Sequence, residues 1–309
     1  MYVDEYLPHI GQAGPRIEQI ITAESIRRFA EAVGETDLLY YDPEYAASTP
    51  YGGIIAPPTY SFTLRYPEIP HIWIAPKGRI HAGQSISYRR PLYAGETVFC
   101  GQTLANAYEK QGKQGWMVFL EHERTVYDRA GEVICINKMT TITKEYLFLA
   151  RGQQQNPPPP EKAAVPAQPV LCAFAVGDVL TPVTLPPVTR LDIIKYSGAA
   201  WDYNAIHLFD ADAQKLGFPS VVAHGMFSVA LQGKILRVWL GECYSVAQIN
   251  VRFRAPLLPG DSLTCSGKVT GVSEDGKQIQ LTLQASNNHG AEVISGEATM
   301  ELAVRAPSG

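Results

Sequence analysis

Asp202, Asn204 and His207 fall within six residues in the stretch WDYNAIH, and a His224-Gly225 pair follows in AHGM. These side chains can move protons. Imidazole ionises near neutral pH, so His207 can take a proton and return it. Asp202, five positions earlier, can hold the same water or bias the imidazole toward its useful protonation state. The segment from His224 reads as a helix start. There the Gly225 N–H, backed by the helix dipole, is a ready donor to developing negative charge. Asn204 is read as orienting the loop through hydrogen bonds to backbone.

Each residue also has an ordinary structural reading. An Asp or Asn ahead of a helix is commonly a cap. A lone His207 would be a satisfied loop histidine, and His224 is read as a structural support. The joint spacing, together with a later Pro256…Gly260-Asp261 block, favours chemistry for Asp202 and His207. A metal set of Asp202, His207 and His224 finds no further ligand cluster to support it, so no metal is expected.

The elements that must position these residues occur twice. At an offset of 167, Glu35-Thr36-Asp37-Leu38-Leu39-Tyr40 falls against Asp202 to His207, and Pro57-Pro58 against His224-Gly225. At an offset of 165, YRRPLYAGETVFC (88–100) matches FRAPLLPGDSLTC (253–265). Two copies at this period point to a duplicated domain. Each copy reads as a short amphipathic helix, a polar loop, a longer apolar helix and then alternating β runs with Gly-Asp or Asp-Gly breaks. The longer helix is clearest in HGMFSVALQGKILRVWLGE. One long helix with a following antiparallel sheet wrapped around it is an α+β arrangement.

Between the copies, RGQQQNPPPPEKAAVPAQPV lacks apolar periodicity and favours an extended spacer. The expected units are therefore 1–150 and 171–309, with a linker at 151–170. The 309 residues carry a net charge of -4 with no long basic run, so electrostatics give no reason to expect nucleic acid or an anionic membrane. No apolar stretch approaches a membrane span and the opening MYVDEYLPHIGQ is not a leader, so a cytoplasmic protein is expected. Five scattered cysteines (100, 135, 172, 243, 265) read as idle thiols.

Three blocks of the second half resemble the MaoC-like (R)-specific enoyl-thioester hydratases and dehydratases: Asp202-Tyr203-Asn204-Ala205-Ile206-His207, then His224-Gly225-Met226, then Phe253-Arg254-Ala255-Pro256 through Gly260-Asp261. Ala205 stands where the family has proline. The first half resembles the degenerate partner domain of double-hotdog members. The resemblance implies two tandem hotdog domains and reversible hydration of a trans-2-enoyl thioester to the (R)-3-hydroxyacyl thioester. It implies Asp202 and His207 as the catalytic pair and Gly225 as the oxyanion donor. No cofactor is required beyond coenzyme A or phosphopantetheine as part of the substrate, since the thioester itself acidifies the α-proton. The partner is then an acyl-CoA or acyl-carrier protein, and a homodimer of double hotdogs stays open.

The resemblance implies that the first half lines the acyl path, with Tyr40 on the substrate side; Tyr40 cannot act as a base there, because phenols ionise near ~10. Lys77, Arg79, Arg89 and Arg90 form the densest basic cluster of that half, a candidate for carrier phosphates. Two rivals remain: a hotdog thioesterase, disfavoured because His224 to Leu240 contains no Asp or Glu, and a non-catalytic acyl-thioester binding protein.

Overall fold

A computed structural model describes residues 3–70, 72, 79–112, 115–143 and 174–303. The expected linker at 151–170 and Lys77 lie outside the described residues. The first half contains strand β1 (Ile17–Ile20), helix α1 (Ala23–Ala32), helix α2 (Pro43–Ser48) and strands β2 (Arg79–Tyr88), β3 (Thr97–Gly112), β4 (Gly115–Tyr127) and β5 (Val133–Thr143). The second half has β6 (Val179–Thr184), α3 (Arg190–Ala200), α4 (Ala205–Leu208), α5 (Asp210–Lys215), α6 (Gly225–Leu240), β7 (Tyr244–Phe253), β8 (Leu263–Val272), β9 (Gln278–Asn287) and β10 (Glu292–Leu302).

All ten strands form one antiparallel sheet in the order β1-β3-β4-β5-β2-β7-β10-β9-β8-β6. That order is a mirror. At an offset of 165, β2 and β7 are counterparts, and they pair with each other across the seam between halves. Ser85 pairs there with its own counterpart Asn250, so a pseudo-twofold axis passes through that pair. In β9 the residues Ile279, Leu281, Leu283 and Ala285 are buried at every second position, as a sheet with one covered face requires.

The duplication reaches the hydrogen bonds. Thr22 and Ser25 close a capping box on α1, and Thr189 and Asp192, 167 positions on, close one on α3. The Ala56 N–H donates to Leu92 O at 2.8 Å, and Ala223 repeats the bond to Leu257 O at 2.8 Å. Gly95 to Ile21 and Gly260 to Val188 match likewise, each at 2.7 Å.

The halves differ where a long central helix was expected in both. Helix α6 is present, apolar on nearly every side and buried accordingly. Its first-half counterpart is a single 3-10 turn, Tyr60–Thr63, followed by chain that is neither helix nor strand through Pro70. Pro67 and Pro70 align with the interior of α6, and a proline there removes a donor and clashes with the preceding turn. One apolar core runs through both halves; Phe29 of α1 packs on Tyr196 of α3 with ring centroids 6.0 Å apart. The reading of all cysteines as idle thiols fails at Cys243, which is disulfide-bonded; Cys100, Cys135 and Cys265 are free and buried. No helix of the described residues is long and apolar enough to cross a membrane.

Candidate active site

Helix α3 ends at Trp201, the one non-glycine residue at positive φ among the described residues (φ 55°). Left-handed backbone disfavours a bulky side chain, and such strain collects where surrounding structure needs a particular direction of chain. Here it turns the chain so that Asp202 follows the helix end at once, its N–H donating to Ser197 O at 3.1 Å. The Asp202 carboxylate accepts from Asn204 N–H at 3.3 Å, and the Asn204 side chain caps α4 through a long 3.5 Å bond from Ile206 N–H. Asn204 thus orients the loop through backbone.

His207 lies on α4 and is buried. Its Nδ1 stands 2.7 Å from Val222 O. A carbonyl only accepts, so Nδ1 carries the hydrogen and Nε2 keeps its lone pair. Burial pulls the His207 pKa below the usual 6.5, with the Val222 bond and the Asp202 charge acting the other way. The imidazole is therefore held as a neutral base with its free nitrogen fixed.

His224 occupies the N-cap position of α6 and Gly225 its first residue. The Gly225 N–H accordingly has no intrahelical carbonyl to meet. The sequence singles out this glycine for its N–H; the structure adds a packing reason for its missing side chain. A Cβ at Gly225 would lie 2.8 Å from the ring of Phe253. Phe253 packs at a tilt against His81 of the first half, with centroids 4.7 Å apart, and His81 stacks on Phe62 at 5.8 Å. This wall from β2 and β7 escaped the sequence analysis, although Phe253 heads the third block. That block is a brace: Leu257 O holds Ala223, and Asp261 is buried, accepting from Leu258 N–H and Asn287.

One donor atom each from Asp202, His207 and His224 lie within 4.8 Å of one another. Atoms so spaced can all meet one water, since some point lies within about 2.8 Å of each. The same three residues are spaced as a metal set would be, and the two imidazole rings are stacked, 29° from parallel with centroids 3.6 Å apart.

The first-half counterparts hold no such set. Glu35 is buried, its pKa raised chiefly by burial, and it accepts from Thr36 and Asp37 N–H. Asp37 pairs with Arg237 of α6. Tyr40 is buried and its pKa stands well above the usual 10. It lines a narrow pocket of about 50 Å³, open to solvent, together with Tyr51, Pro57, Pro58, Leu236 and Arg237.

The expected basic cluster does not assemble. Arg79 begins β2 and Arg89 lies just past its other end, which at ~3.3 Å per residue places their backbones about 30 Å apart. Arg90 is paired with Glu96, and Arg89 is exposed. Sequence proximity along a strand is distance in space, which is why the grouping fails.

Residues 9–137 match the FAS1-like dehydratase domain region, and residues 174–290 match the MaoC-like domain. The chain is 32% identical over 138 residues to a UPF0336 protein of Streptomyces avermitilis, covering 43% of this chain and 85% of that protein. It is 27% identical over 222 residues to the 3-hydroxyacyl-thioester dehydratase X of Mycobacterium tuberculosis, covering 69% and 70%. An (R)-specific enoyl-CoA hydratase of Rhodospirillum rubrum is 29% identical over 119 residues, 38% of this chain and 82% of that one. Among solved structures, a MaoC-like dehydratase shares the fold with a TM-score of 0.74 at 21% identity, covering 95% of this chain and 98% of its own. A Mycobacterium tuberculosis protein described as a double hotdog does so at 0.67 and 14% identity, covering 95% and 96%.

Proposed function

This chain belongs to the MaoC-like dehydratase family, as a double hotdog with a FAS1-like dehydratase region in its first half, and from that premise we propose that it interconverts a trans-2-enoyl thioester and its (R)-3-hydroxyacyl thioester. The observation that supports the reading is that donor atoms of Asp202 and His207 lie within 4.8 Å of one another, close enough to share one water. In the hydration direction, His207 Nε2 and the Asp202 carboxylate hold that water and take its proton as its oxygen bonds to C3. The electron pair of the double bond moves toward the thioester, and the Gly225 N–H meets the charge that develops on the thioester oxygen. A proton then returns to the α-carbon from the same pair. Coupled groups share such a task, so the two act as one acid–base unit.

The chemistry requires no group beyond the thioester itself, carried on coenzyme A or phosphopantetheine. In this reading residues 171–309 are the catalytic unit and residues 1–150 a degenerate partner, joined through 151–170. The cavity beside Tyr40 then receives the acyl chain, and Tyr40 contributes a wall and not a base.

The test is an enoyl-thioester assay that follows loss of the enoyl absorbance and, separately, release of free thiol. Absorbance loss without thiol is the expected result. Thiol release would make the protein a thioesterase, and neither signal would leave an acyl-thioester binding protein.

A further inference from the structure

We infer that His224 is the positioning residue that holds Asp202 and His207 to a single water, a role that rests on the hydration reading above. Its imidazole touches both. Nε2 stands 3.0 Å from the backbone carbonyl of Asp202, and a carbonyl can only accept, so Nε2 donates and fixes the end of the turn that carries the carboxylate. The face of the same ring lies on His207, centroids 3.6 Å apart, while Tyr196 and Ser197 of α3 close around it at 5.1 Å between rings and 3.4 Å from Nε2 to Oγ.

Two features show that this histidine is not there to cap the helix. It sits at the N-cap of α6, where Ser, Thr, Asp or Asn would satisfy a free N–H, yet its side chain makes no capping bond. Its Nδ1 is buried and meets no protein group. The first-half counterpart is Pro57, in the half that holds no catalytic pair. A residue that does not cap its helix is kept for what its ring and its Nε2–H hold in place. Neither property alone suffices: phenylalanine would supply the stack without the donor, and glutamine the donor without the stack.

The experiment compares wild type with His224→Phe, His224→Gln and Asp202→Asn in the enoyl-thioester assay, with Tm recorded for each. Expected are a Tm for His224→Phe at or above wild type, a kcat lower by about 10²-fold for a misplaced acid–base pair, and a KM within a factor of a few. His224→Gln should recover part of kcat, and His224→Phe added to Asp202→Asn should cost little more. The proposal is overturned if His224→Phe keeps wild-type kcat where Asp202→Asn has lost it, or if Tm and kcat fall together in every variant. A wild-type protein that does not hydrate would overturn the hydration reading itself, and this role with it.

Discussion

The rings of His207 and His224 lie face to face, 3.6 Å between centroids and 29° from parallel. Two imidazoliums could not occupy that arrangement. Burial lowers both pKa values, and the neighbouring His207 helps take His224 to about 4. Both rings therefore favour the neutral form more than a free histidine does.

This fixes a pH dependence with a definite sign. His207 acts as base only when neutral, and its folded pKa lies below the unfolded 6.5. The acid limb of kcat/KM should therefore be centred below 6.5. Stability follows the same direction. As pH drops below about 6.5, the unfolded chain binds protons that the folded pair refuses, so unfolding free energy is full above that value and is lost toward pH 4. A pH–rate profile and denaturant melts across pH 4–8 check both limbs. An acid limb centred above 6.5 would contradict the neutral pair.

Gly225 makes a second prediction. A methyl group there would press on the Phe253 ring at 2.8 Å, so either the ring or the first turn of α6 must shift. Gly225→Ala should lower kcat by 10-fold or more, about 1.4 kcal/mol of barrier, by moving the N–H that we propose as the donor to the thioester. Gly225→Ala with Phe253→Leu should regain much of it, because the smaller side chain yields. Failure of the second change to help would mean the glycine is needed for the ligand alone.

Much of this was legible in the residues. The offsets of 167 and 165 are reproduced bond for bond by Ala56–Leu92 and Ala223–Leu257, because each pair is local to its own copy and its turn chemistry repeats. The Asp202–His207 loop was legible for the same reason. The missing first-half helix was written in Pro67 and Pro70, but the overall repeat outweighed them. The wall of Phe62, His81 and Phe253 was not legible at all. It depends on the pairing of β2 with β7, residues some 165 apart in sequence, and on the bulge between His81 and Gly83 that re-aims the strand. Arg79 and Arg89 failed oppositely, near in sequence and far apart on one strand.

Arg237 joins the halves in the same long-range way. Its side chain is 11% exposed and meets Asp37, 18% exposed, with Glu242 close by. Removing the cation leaves a poorly solvated carboxylate unpaired, so Arg237→Leu should cost about 3 kcal/mol of unfolding free energy. Asp37→Leu in the same chain should restore part of that, since an apolar pair leaves no stranded charge. Urea unfolding of the two single variants and the double measures the coupling. A single Arg237→Leu as stable as wild type would show that the halves are held without it.

The final prediction concerns how losses combine at Asp202 and His207. If each merely polarised the site, removing both would multiply their separate losses. If they hold and deprotonate one water, either removal already disables the step and the second adds little. Their donor atoms lie within 4.8 Å of each other, and the His207 Nε2 is aimed by the Val222 bond on Nδ1, which favours the joint action. Asp202→Asn and His207→Ala should each lower kcat by ~10²–10⁴, the usual worth of general acid–base catalysis, and the double variant should fall near the worse single. Binding of a saturated acyl thioester should survive in all three, because the Gly225 N–H and the cavity beside Tyr40 are untouched. The measurement is kcat for the three variants, with circular dichroism to confirm folding. A His207→Ala protein that hydrates at nearly the wild-type rate would move the base to His224, whose ring is the nearest other imidazole to the water.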